Sequence, residues 1–351
     1  MSSIVHTPAD STSSVSRRRF TRAAAAVCAV PWIAACASGP RAAKPLSVGA
    51  LFAGRIDDRG FMESGWRGLE RARTELGVQT TLIDGVEPKK ELLAAALARL
   101  AGSGVDMVVA HGGQNNEACA EVAARFPQVK FVVTQGAVTS ANLASYDVLQ
   151  EESAYLAGVL AARTTRTGIV GHMSGIRVRP GLKGRAAYAA GVRATNPQVR
   201  LLTNFSGNQD DNPLSRRVAL AQIAAGADVI FTMLNAGRDG VTQACRERNV
   251  RQIGNVIDWV QVDPGVFLAS AVADVGVGVF EAVRDLRAGT FPAATIRKIG
   301  LDHPQAVRLT MSPNTPADVR AQVEKVAADI GSGRVSVPEA YDGPEFPTPA
   351  G

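Results

Sequence analysis

Few residues of this 351-residue chain are spaced for making or breaking bonds. His111, His172 and His303 stand apart, and none has a second His or Cys at metal-ligand spacing, so each reads as a packed or solvated ring. His111, at a strand end, is the one placed to reach a cleft. Gly49-Ala50-Leu51-Phe52-Ala53-Gly54-Arg55-Ile56 has the frame of a phosphate-binding loop but lacks the Lys-Ser/Thr that would hold phosphate and magnesium. There is no G-x-S-x-G elbow and no dinucleotide fingerprint. The adjacent acids Asp57 and Asp58 are the one pair a hydrolase could use, and nothing beside them in sequence would ionise water. The chemistry expected is recognition without catalysis, with no metal and no cofactor.

Composition narrows the class. Hydrophobic residues make up 46% of the chain, charged residues 20% and aromatics 5%. Abundant Ala and Gly with few aromatics suit an α/β protein, and the length suits two domains. No apolar run approaches the ~18–20 residues of a membrane-spanning helix. Half of the formal charge of +6 sits in residues 1–35, leaving 34 basic and 31 acidic residues interspersed over the rest. Nucleic acid, which calls for a clustered basic face, is not an expected partner.

Residues 1–35 read as an address. Ser16-Arg17-Arg18-Arg19-Phe20-Thr21-Arg22 precedes a short apolar run, Ala23 to Ala35, in the secretory order. The arginine pair resembles a twin-arginine export signal, and Ile33-Ala34-Ala35-Cys36 is similar to a bacterial lipobox. That likeness implies cleavage before Cys36 and lipid on its thiol and new amino group, a stable anchor where a single acyl chain is marginal. Residues 36–45 read as the lipidated cysteine and its tether. Cys119 and Cys245 are expected as buried, unbonded small hydrophobes on helices of different lobes.

The elements that must position any site alternate. Short apolar runs (Leu46–Phe52, Val78–Ile83, Val105–Ala110, Val129–Thr134) alternate with amphipathic stretches (61–76, 91–102, 116–126), the pattern of a parallel sheet covered by helices. The same order restarts at Glu152, with strands Thr167–Met173, Val199–Phe205, Asp228–Met233 and Gln252–Val256 between helices. A long helix (Ala271–Ala288), a strand-like Thr295–Ile299 and a helix Thr315–Gly331 follow. The expected fold is α/β: two doubly wound parallel-sheet lobes joined by a hinge, with 46–149 plus 270–292 as lobe 1 and 150–269 plus 293–340 as lobe 2. Residues 341–351, rich in proline, read as a frayed tail. Such lobes hold ligands at the carboxyl ends of their strands and close about a hinge.

Ile56-Asp57-Asp58-Arg59-Gly60-Phe61 with Gly65-Trp66-Arg67-Gly68, then Glu151 to Gly158, Gly168 to Met173, Gly226 to Phe231 and Ile253 to Asp258, resemble in order the basic membrane protein (BMP) lipoproteins. These are periplasmic-binding-protein-like receptors of ABC importers, and characterised members bind purine nucleosides. The resemblance implies ligand roles for Asp58 and Asp258 on sugar hydroxyls, Phe61 as a stacking face, and Asn235 and Gln135 as polar contacts. Trp259, beside Asp258, offers a second stacking surface. The plainer alternatives are that Asp58 caps a helix, that Phe61 and Trp259 pack in the core, and that Glu152 serves the hinge. Met62, Gln135, Ala273 and Gln209 depart from the family pattern; the lost cation at Ala273 and the lost stacking partner at Gln209 move the expected ligand from a nucleoside towards a free base or another small polar solute. The implied function is an exported, lipid-anchored, monomeric solute receptor at the extracytoplasmic face of the membrane, with an ABC permease and ATPase as partners. The competing classes are a nucleoside-processing hydrolase and a ligand-sensing surface regulator.

Overall fold

The computed structural model describes residues 44–347; the expected export signal, the lipidated Cys36 and most of the tether lie outside the described residues. The apolar run Ser47–Phe52 forms β1, buried along nearly all its length as a doubly covered strand must be. Helix α1 (Phe61–Leu76) returns over the sheet and ends at Gly77, whose φ of 65° gives the left-handed closing turn. The alternation continues with β2 (Gln79–Ile83), α2 (Lys90–Gly102), β3 (Met107–His111), α3 (Asn116–Arg125), β4 (Lys130–Thr134) and β5 (Leu143–Val148). It resumes with α4 (Gln150–Thr164), β6 (Ile169–Ser174), α5 (Arg179–Thr195), β7 (Arg200–Phe205), α6 (Asn212–Ala224), β8 (Val229–Met233), α7 (Arg238–Arg248) and β9 (Arg251–Val256). A short turn of helix, α8 (Trp259–Val262), precedes β10 (Phe267–Ala273), α9 (Gly276–Arg287), β11 (Ile296–Ile299), β12 (Val307–Met311) and α10 (Ala317–Gly331).

Two six-stranded sheets result, with orders β11-β5-β4-β3-β1-β2 and β12-β10-β9-β8-β6-β7. Every pairing is parallel except β12 against β10. This is the expected pair of mostly parallel, helix-covered lobes. Hydrophobic clusters fill both faces of each sheet. The chain passes between lobes at 149, at 274–275 and at 300–306, and a small apolar cluster of Val148, Ala273, Val275, Ile299, Ala306 and Val307 gathers where the crossings meet. Glu152 is bound into this hinge, its carboxylate accepting from the Leu301 amide at 2.7 Å.

Three expectations need correction. Residues 271–273 are not helical: they end β10, held between β9 and β12. All of β10 therefore belongs to the second lobe. Conversely, Ile296–Ile299 joins the first sheet, because β5 leaves an edge that β11 pairs. The tail is not frayed through 347. The Phe346 amide donates to the Thr203 carbonyl at 2.7 Å, Glu345 pairs with Arg177 and Arg185, and Tyr341 lies 4.7 Å from the Arg185 guanidinium. Cys119 and Cys245 are buried, free and in separate lobes, as read from sequence.

Candidate functional site

In each sheet the strand order reverses beside the lobe's first strand, β1 against β3 and β6 against β8. The crevice beyond the carboxyl ends at such a switch point is where open α/β sheets take ligands. A cavity of about 380 Å³ lies there, lined from the first lobe by residues after β1, β2 and β3 and from the second by residues after β6, β7 and β8 and by Asn255 near the end of β9. Its volume is within the range of small-molecule pockets, ~300–1,000 Å³. The lobes touch on either side of it. Arg238 donates to the Arg59 carbonyl at 3.4 Å, and Arg59 pairs with Asp239. Nearer the hinge, Arg179 and Lys183 of α5 reach the Asp147 carboxylate of β5 at 2.9 and 3.2 Å, while Lys183 also pairs with Glu151 and lies 3.5 Å from Glu339.

Two of the six residues singled out from sequence line this cavity. Phe61 does so half-buried, its ring centroid 4.5 Å from that of His111. His111 itself stays beneath the surface. Its Nε2 faces the Phe61 carbonyl at 3.0 Å, an acceptor only, so Nε2 carries the proton and Nδ1 accepts from the Thr134 hydroxyl at 2.8 Å. Burial lowers its pKa to about 4, and the ring is neutral at physiological pH. Asn235 is the second, at the close approach of its backbone to Gly60.

The other four do not line it. Both Asp58 oxygens accept from backbone amides at the start of α1: Gly60 at 2.8 Å, and Met62 and Glu63 at 3.0 Å. Burial raises the Asp58 pKa against the pull of those amides. Asp258 caps α8, accepting from Val260 at 3.2 Å and from Gln261 at 3.0 Å. The Gln135 amide clamps both backbone groups of Val148, donating at 2.8 Å and accepting at 2.6 Å. Trp259 is buried, its indole donating to the Asn255 carbonyl at 3.0 Å and its face covered by the Arg238 guanidinium 3.3 Å from the ring centroid.

What sequence reasoning passed over is the amide content of the wall. Gln114, Gln150, Asn208, Gln209, Asn235 and Asn255 all line the cavity, beside apolar Phe61, Met62, Ile176, Val178 and Met233. Of these amides only Asn235 and, as a departure from a family pattern, Gln209 drew notice. The signal available was position, since each lies at or just after a strand end or opens α4. The charged lining residues Arg55, Glu87 and Asp210 are exposed at the rim. A second cavity of about 340 Å³ opens between α1, α8 and the start of α9, and includes Ile257 and Asp274, the residues that follow β9 and β10. Its guanidiniums, on Arg59, Arg67 and Arg71, already pair with Asp239, Glu63 and Glu75.

Residues 46–340 match the family of PnrA-like ABC transporter substrate-binding proteins, called Bmp. The chain belongs to this family. A purine-binding protein of Brucella abortus is 24% identical over 300 residues, covering 84% of this chain and 83% of its own. The CD4+ T-cell-stimulating antigen of Listeria monocytogenes is 25% identical over 311 residues, with 82% and 86% covered. Among solved structures, a solute-binding protein of an ABC transporter system from Aeropyrum pernix superposes with a TM-score of 0.75 at 22% identity, covering 84% of this chain and 94% of that one. The Bmp family and the two-lobed fold are those of solute-binding proteins, whose partners are a small molecule and the permease and ATPase of a transporter.

Proposed function

We propose that this Bmp protein is an extracytoplasmic lipoprotein, exported through its twin-arginine signal and anchored at Cys36, that delivers a purine nucleoside or related small molecule to an ABC importer. The observation that carries the reading is one cavity walled by strand-end loops of both sheets, so that a ligand bridging the walls favours the closed arrangement of the lobes. Phe61 supplies an aromatic face and Asn235 a polar contact. The ligand binds non-covalently and leaves unchanged. The carboxylates that line the cavity, Glu87 and Asp210, are on the exposed rim, where neither is desolvated as a general acid or base would be.

Titration calorimetry of the purified protein with purine bases and nucleosides tests this. Saturable one-to-one binding with the ligand recovered intact is the expected result. Release of free base from a nucleoside would replace the receptor with a hydrolase, and absence of any purine binding would remove the ligand class. Globomycin-sensitive processing and labelling of Cys36 by a palmitate analogue test the anchor.

A further inference from the structure

Three amides of the cavity wall are left incomplete. Among the described residues, Gln150 Nε2, Gln209 Oε1 and Asn255 Oδ1 are shielded from solvent and have no hydrogen-bond partner. Gln150 and Asn255 are 4% and 7% exposed, so these are groups whose desolvation is not compensated within the protein. Room has been made for one of them: a Cβ on Gly175 would overlap the Gln209 amide. Another, Asn255, is the penultimate residue of β9, beside a strained backbone, for Val256 is β-branched and has a φ of 68°. All three residues line the same cavity, and a turn about the terminal torsion, which is broad for amides, would bring either end of each amide to a ligand there.

The wall these amides share holds no buried charge. Arg55 is paired with Asp57 at 2.8 Å, Glu87 with Lys89 at 2.6 Å, and Asp210 accepts from the Ala236 amide at 3.1 Å. A carboxamide offers a donor and an acceptor side by side, and its complement is an edge with the same two functions reversed, as on an aminopurine or lactam. A phosphate or carboxylate placed here would find no buried cation, only the exposed Arg55 already paired with Asp57, and would lose its hydration.

We infer that the cavity selects an uncharged heterocycle through an edge carrying a donor beside an acceptor, and that Gln150, Gln209 and Asn255 are the side chains that read it. This rests on the solute-binding reading above but not on the ligand's being a purine.

The test is calorimetric titration of the full chain with adenosine, guanosine, inosine and their free bases, cytidine and uridine, purine riboside (which lacks the 6-substituent), adenosine 5′-monophosphate and ribose. At least one neutral edge-bearing compound is expected to bind, with purine riboside and the monophosphate each weaker by tenfold or more than adenosine. A pyrimidine as the only ligand would end the purine reading and leave the edge-reading amides standing. Equal affinity for adenosine and purine riboside, or tighter binding of the monophosphate, would overturn the inference while sparing the purine reading. A panel with no ligand overturns both.

The variants Gln150→Met, Gln209→Met and Asn255→Leu add a readout that a framework role would not give. Each is expected to weaken the best ligand at least fivefold, yet to melt without ligand at the same or a higher temperature, because an unpartnered amide has been replaced by an apolar group of similar size. Variants that lose melting temperature together with binding, or three that bind as the parent does, would refute the assignment.

Discussion

Lowering the pH from 7 to 5 is expected to destabilise the second lobe through His172. That ring lies fully buried in β6, its Nδ1 2.8 Å from the Thr203 hydroxyl and its Nε2 3.1 Å from the Ser174 hydroxyl, against the rings of Tyr188, Phe205 and Phe231. Burial, reinforced by the Arg185 guanidinium of α5 and opposed by Glu345 of the tail, lowers its pKa to about 3. An unfolded histidine titrates near ~6.5. The depressed folded value means that the stability contribution is complete above that pH and is lost as pH falls towards 3. By pH 5 the unfolded ring holds nearly a full proton and the folded ring almost none, a loss of about 2 kcal/mol relative to pH 7. His111, lowered to about 4, adds a similar loss in the first lobe. Asp58, Glu151 and Glu152, whose pKa values burial raises, act oppositely, gaining stability as they bind protons. A comparison with His172→Gln removes those shared contributions. Guanidinium unfolding followed by circular dichroism at pH 7 and 5 should show the parent losing about 2 kcal/mol more than the variant. Equal losses in the two proteins would refute the claim that His172 is held neutral in the fold.

Three further outcomes follow from the packing. Asp258→Ala should leave ligand affinity within twofold and cost about 1 kcal/mol as a lost helix cap; a tenfold loss by calorimetry would return Asp258 to the ligand. Gly158→Ala would drive a methyl into the Tyr188 carbonyl where α4 crosses α5, a contact that Gly191 mirrors against the Tyr155 carbonyl. Its expected cost is about 3 kcal/mol, measured as a shift in denaturant midpoint, and an unchanged midpoint would mean the helices separate freely. Removing residues 341–351 leaves Arg185, whose side chain is 7% exposed, without Glu345. Because Glu345 is about a third exposed, the loss is discounted to about 2 kcal/mol, read from the same midpoint.

Much of the architecture was legible from the chain alone, for a local reason. Apolar runs such as Ser47–Phe52 and Val229–Met233 have one stable place, inside a sheet covered on both faces, and the helices between them bury one apolar side. The restart of the same strand–helix order at Glu152 then divided those elements into two lobes. What stayed hidden were strands whose polarity is satisfied from far along the chain. Leu143–Val148 carries Ser145, Tyr146 and Asp147, and reads as no strand until the Val138 carbonyl, Asp285 and the Arg179–Lys183 pair are brought to them. Small-residue Phe267–Ala273 fits helix or strand, and only its two neighbours decide.

The site divides in the same way. The family resemblance marked Phe61 and Asn235. Whether a carboxylate is free for a ligand depends on which amides point at it, and that is a property of the folded loop. Asp58 is consumed by the turn that starts α1, and Asp258 by α8. Conversely, nothing in the spacing of Gln150, Gln209 and Asn255, dispersed over a hundred residues of chain, says that one cavity gathers them. The alternation of buried apolar strand and amphipathic helix was written in the sequence because it depends on near neighbours. The partners of each buried polar group were settled only by tertiary structure, because a hydrogen bond needs its second atom in place.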